Sequence, residues 1–68
     1  MTQCDRILRH LRDFGSITPI EAMEDYGVMR LGARIHDLKA LGYDIRTTCE
    51  TARNRYGEKT HYARYILI

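Results

Sequence analysis

Residues 29–41, MRLGARIHDLKAL, constrain the fold of this 68-residue chain more than any other stretch. On a helix of about 3.6 residues per turn, Leu31, Ile35 and Leu38 fall in one apolar stripe, and Val28 just ahead of them extends it. The opposite face carries Met29, Arg30, Ala33, His36, Asp37 and Ala40, which are small or polar and have little to bury. Arg34 lies on the boundary. Such a helix can pack on the surface of its own domain, or it can lie in a DNA major groove, which is wide enough to admit it. The segments on either side decide between the two.

The length sets an upper bound: residues 1–68 are expected to form a single domain with a modest core. A closed catalytic pocket does not fit that size, so the expectation is no enzyme and no cofactor. With 44% hydrophobic and 29% charged residues the chain reads as globular. No apolar run approaches the ~20 residues of a membrane span, and the N-terminus lacks a signal peptide's apolar stretch. The expected setting is cytoplasmic, without a membrane partner. There, Cys4 and Cys49 read as small reduced residues and not as a disulfide.

The net charge of +2 is unevenly spread. Residues 1–28 carry three arginines against five acids. Residues 29–43 carry Arg30, Arg34 and Lys39 against Asp37, and residues 44–68 carry five basic side chains against three acidic ones. The positive excess therefore sits in the central helix and the C-terminal third.

In chain order, Thr2 caps a first helix over residues 3–14, with Asp5 near its positive end. Cys4, Ile7, Leu8, Leu11 and Phe14 recur at helical spacing and should face inward. His10 reads as a surface residue, and Gly15 as a left-handed stop. Ser16-Ile17 is long enough only for a short strand. Thr18-Pro19-Ile20-Glu21 opens a second helix with a capping box and proline at the first helical position. Its expected inward residues are Ile20 and Met23, with Ala22 beside them, and it ends near Asp25 or Tyr26 before a tight turn at Gly27. Gly42 stops the third helix. Ile45, Thr47 and Cys49 then alternate with Arg46, Thr48 and Glu50 as in a strand, residues 52–58 form a polar turn, and residues 59–68 resume as a strand. Ala63, Tyr65 and Leu67 are the expected core face of that strand; Tyr62, Ile66 and Ile68 leave the opposite register open.

A two-stranded hairpin must pack on something to be stable. Helices 2 and 3 with their short turn read as helix-turn-helix, and the hairpin as a wing beside helix 3. The expected fold is thus α+β, a winged helix-turn-helix of three helices plus a C-terminal β-hairpin wing.

The segment SITPIEAMEDYGVMRLGARIHDLKALGYDI, followed by NRYGEKTHYARYIL, resembles the small helix-turn-helix proteins of bacteriophages and prophages. The resemblance runs from Ile7 onward. It is most specific at residues 17–22, at Arg34-Ile35-His36-Asp37-Leu38, at Gly42-Tyr43 and at residues 62–65. It implies a winged helix fold and a DNA-binding role. The expectation is accordingly a small phage-type DNA-binding protein: a transcriptional regulator, an excisionase-like architectural factor or a packaging component. The step from Ala22 to Gly27 is one residue longer than the usual alanine-to-glycine step, so a looser turn is expected.

On this reading the partner is double-stranded DNA, and a homodimer is compatible with it. Arg30, near the start of helix 3, can grip guanine or phosphate with two hydrogen bonds. Arg34 can reach the groove, pair with Asp37 three residues on, or clamp helix 2 through Glu21, Glu24 or Asp25. His36 can donate to a base. Ala33, like Gly32, leaves room for close approach, either to DNA or to the chain's own hairpin. In the wing, Arg53, Arg55 and Lys59 flank Asn54, Tyr56 and Gly57 and suit phosphate or minor-groove contact. The alternative is a protein-interaction module, an adaptor or inhibitor of a host or phage protein, to which the acidic helix 2 and low net charge point. The spacing shows no zinc cluster, no phosphate loop and no hydrolytic triad. Cys49 and His61 can meet across the hairpin, but two ligands do not make a metal site.

Overall fold

A computed structural model describes residues 2–68. The elements are α1 (Gln3–Phe14), β1 (Ser16–Ile17), α2 (Pro19–Tyr26), α3 (Leu31–Ala40), β2 (Ile45–Arg53) and β3 (Lys59–Leu67). The strands form one antiparallel sheet in the order β1-β3-β2. This is the expected winged helix-turn-helix, with β1 added to the hairpin as a third strand.

Local chemistry sets most of the boundaries. Thr2 and Asp5 form a reciprocal capping box at α1, and Thr18 and Glu21 form another at α2, with Pro19 in its first turn. Each satisfies backbone donors that a helix start leaves without partners. At the end of α2, Gly27 takes φ 67°, and the Val28 and Gly27 N–H groups close on Ala22 and Met23 carbonyls at 3.0 and 2.9 Å. This Schellman closure needs the left-handed conformation that glycine adopts without strain. It also drops Val28 directly into the core.

The core is one cluster of Ile7, Leu11, Ile17, Ala22, Val28, Leu31, Ile35, Leu38 and Ile45. Tyr65 and Leu67 pack against it from β3, which selects the register expected for the strand's inner face. The stripe Val28, Leu31, Ile35 and Leu38 is fully buried, as its spacing requires.

Four local expectations are corrected. Helix α3 begins at Leu31, so Met29 and Arg30 precede its first turn, and Arg30 occupies the N-cap. His10 is only 4% exposed; its Nδ1 lies 2.7 Å from the Tyr26 hydroxyl, which supplies the partner that makes burial tolerable. Ile20 and Met23 are 60% and 54% exposed, because α2 buries Ala22 and half-buries Tyr26 one turn on. Ile20 lies about 200° around the helix from Ala22, on the far side. Phe14, 72% exposed, stacks at 4.7 Å on the His10 ring at the end of α1 and does not enter the core.

Strand β2 also runs three residues beyond Glu50, to Arg53, in unbroken register with β3. Residues 51–61 are exposed throughout, so the far half of the wing stands clear of the helices. The molecule is correspondingly elongated, 39 × 22 × 20 Å.

Candidate nucleic-acid interface

Helix α3 presents different chemistry on each side. Its core stripe packs on α1 within the common core cluster. Gly32 faces the base of the wing: a Cβ added there would sit 3.7 Å from the Tyr65 hydroxyl of β3, an ordinary van der Waals contact, so the position has room for a methyl group. Ala33 and His36 follow on the outward side, Ala33 half-buried and His36 exposed. The exposed Lys39, in the last turn, lies within about 20° of the Gly32 direction and adds a cation on the wing side.

Arg30 is exposed at the α3 N-cap and makes no cap hydrogen bond. Among the described residues its guanidinium has no ion-pair partner, so it is free for an external one. Arg34 differs. Its side chain lies between α3 and α1, with Nη2 3.3 Å from Asp37 and Nη1 donating to Gln3 Oε1 at 3.5 Å. Its Nε is buried without a partner. Of the alternatives for Arg34, the Asp37 pair forms, while the clamp onto helix 2 is made instead by Arg64.

The wing tip is organised by Asn54. Its Oδ1 accepts from the Tyr56 and Glu58 N–H groups at 2.9 and 3.0 Å, and the Gly57 N–H returns to its carbonyl. Arg53 donates to the Gly57 carbonyl at 2.8 Å and so helps to hold the turn. Arg53 and Lys59 face each other in register, and Arg55 lies in the loop between them. All three are exposed, and Arg55 and Lys59 have no side-chain partner among the described residues. The three wing cations thus gather at one protruding tip, apart from Arg30 at the α3 N-cap.

Arg64, absent from the sequence-based candidates, anchors the wing base. Its Nε donates to Glu50 Oε1 at 2.7 Å and its Nη1 to Ser16 Oγ at 2.9 Å, and Nη1 lies 3.7 Å from Glu21 Oε1. The hydrogen bond from Arg64 holds the Glu50 carboxyl below its ordinary value of 4.5. Tyr26 is shifted the other way, its phenol raised by burial and then by neighbouring Asp25 and Asp13. The signal for Arg64 was its position: a lone charge between Ala63 and Tyr65 in the apolar part of a strand needs a partner.

Cys49 and His61 lie on the same wing face and line one shallow hollow with Thr47 and Ala63. No group of three metal-ligating side chains occurs among the described residues, and no helix there is long and apolar enough to cross a membrane. Cys4 and Cys49 are both free thiols.

Residues 2–68 match the family model of the winged helix-turn-helix domain. Neither a curated protein nor a solved structure matches the chain.

Proposed function

The chain belongs to the winged helix-turn-helix domain family, and from that premise we propose that it is a small phage-type DNA-binding protein, cytoplasmic and non-enzymatic, acting as a transcriptional regulator or an excisionase-like architectural factor. Helix α3 enters the major groove and the wing lies on the adjacent backbone. The observation that carries this reading is the pairing of an unengaged Arg30 at the head of α3 with a cationic wing tip that stands clear of the helices. Arg30 reads base edges, Ala33 permits close approach, and His36 donates from the outward face. Arg53, Arg55 and Lys59 hold phosphates. Arg34 contributes indirectly, by setting α3 against α1 through Gln3 and Asp37.

Enrichment from a random duplex pool, followed by binding titrations at several salt concentrations, tests the proposal. A recovered motif with salt-dependent affinity supports it, and a pseudo-palindromic motif adds a homodimer. No binding even at about 50 mM salt rejects it.

A second reading has its own observation. Helix α2 exposes Ile20 and Met23 beside Glu21, Glu24 and Asp25, an apolar and acidic surface unsuited to a phosphate backbone. Under that reading the chain is an adaptor or inhibitor of a host or phage protein, and Ile20→Ser with Met23→Ser abolishes partner binding while Arg30→Ala leaves it unchanged.

A further inference from the structure

We propose that Arg64 is the positioning residue that fixes the pitch of the wing against the helix-turn-helix, and with it the span from the head of α3 to the wing tip. The inference deepens the DNA-binding reading above and rests on it.

Four elements converge on this one guanidinium. Arg64 itself belongs to β3; Glu50 comes from β2, Ser16 from β1 and Glu21 from the first turn of α2. Glu21 Oε1 also accepts the Thr18 N–H at 2.9 Å. One carboxylate oxygen therefore serves both the α2 cap and the wing. The position along the hairpin matters as much as the partners. Beyond the Glu50–Tyr62 pair, residues 51–61 have no element behind them. Strand β1 pairs with β3 only through Ser16 and Ile17, so the sheet itself grips the wing over a short length. A two-stranded ribbon twists readily and is marginal by itself, so the direction of its free part is set at the base. Arg64 is the last side-chain tether before that free part. A planar fork with several donors can hold acceptors on different elements at fixed angles, whereas an ammonium acts as a point charge.

Glu50→Val separates positioning from charge. Removing an acid from a DNA-binding surface tightens binding if only net charge matters; releasing Arg64 and the wing weakens it. Valine preserves strand propensity. The expected result is weaker binding, with the logarithmic salt slope flattened by about 0.9 for each wing phosphate contact released. Arg55→Ala should also cost less in the Glu50→Val background than alone, because a misdirected wing no longer delivers that arginine. Unchanged or tighter binding, or fully additive losses, overturns the proposal.

A distance measurement needs no DNA. Spin labels at Lys39→Cys and Tyr56→Cys, in a Cys4→Ser, Cys49→Ser background, report the span from α3 to the tip. Arg64→Met should broaden that distance distribution, and an unchanged distribution overturns the clamp. If Arg64→Met does not fold, Arg64→Lys takes its place, with a smaller broadening expected and the same overturning result. Failure of the wild-type chain to bind DNA would reject the DNA-binding reading, while the distance measurement would still judge Arg64.

Discussion

Single residues divide into those that hold the fold and those left unengaged on the surface. Leu38, 2% exposed, belongs to the first kind. Leu38→Ala should cost about 2–5 kcal/mol, read from thermal or urea unfolding, and a near-unchanged midpoint would contradict its place in the core. His10 belongs there too, although its chemistry suggested the surface. A histidine in a helical pattern does not announce its partner, and the Tyr26 hydroxyl comes from sixteen residues away. His10 Nε2 is already buried without a partner. Tyr26→Phe would leave both ring nitrogens unsatisfied, at an expected cost of about 1–3 kcal/mol in urea unfolding. An unchanged midpoint would mean that the hydrogen bond contributes nothing net. Arg30 is of the second kind; Gly27 and the apolar stripe placed it near the head of α3, but not the helix start itself, which falls one residue beyond it at Leu31.

Elements were more legible than the faces they bury. Capping boxes, Pro19 and the glycine stops are local signals, and α1 and α2 stand where those signals put them, whereas α3, which has no side-chain cap, starts two residues later than expected, at Leu31. Helix α2 turned a different face inward because two turns give too few apolar positions to define a stripe. Small Ala22 lets it approach closely, and Ile20 is left outside. Strand β2 outran its expected end because a free wing is wet on both faces, and its far half carries no alternation to read. The wing base carries a pH signature. The Glu50 carboxyl is held below 4.5 by its hydrogen bond from Arg64, so the folded state binds that proton less readily than the unfolded chain. Its contribution is full above the ordinary carboxylate value and is lost as pH falls through the lower folded value. Asp5 is lowered in the same direction by its bonds to Thr2, so both contribute to acid destabilisation. Melting temperature should fall below about pH 4.5, and Arg64→Met should flatten part of that fall while leaving the Asp5 share. Parallel wild-type and Arg64→Met profiles would remove Glu50 from the account.

For the whole molecule, the decisive feature is where opposite charges lie. The acids of the N-terminal part include Glu21, Glu24 and Asp25 on α2, and the excess cations lie on α3 and the wing. A net charge of +2 conceals that division, which is why composition said less about the partner than the order of elements did. The same geometry separates two kinds of contact. Arg30 precedes α3, where base edges are read, while Arg53, Arg55 and Lys59 gather at a tip that can follow a backbone. Arg30→Ala should therefore cost roughly 1–3 kcal/mol on a preferred site and relax its choice at one position. Neutralising the three wing cations should weaken preferred and scrambled duplexes about equally, and each lost phosphate contact should flatten the logarithmic salt slope by about 0.9. Arg53→Ala carries a further effect, because its guanidinium also holds the Gly57 carbonyl at 2.8 Å. Its loss should loosen the turn and cost more affinity than Arg55→Ala or Lys59→Ala alone. Titrations of each variant on both duplexes, across salt, distinguish these outcomes. If Arg30→Ala weakened both duplexes equally, or wing neutralisation altered the preferred sequence, the division of labour between helix and wing would be wrong. Binding indifferent to both sets of changes would turn attention to the exposed Ile20 and Met23 face of α2.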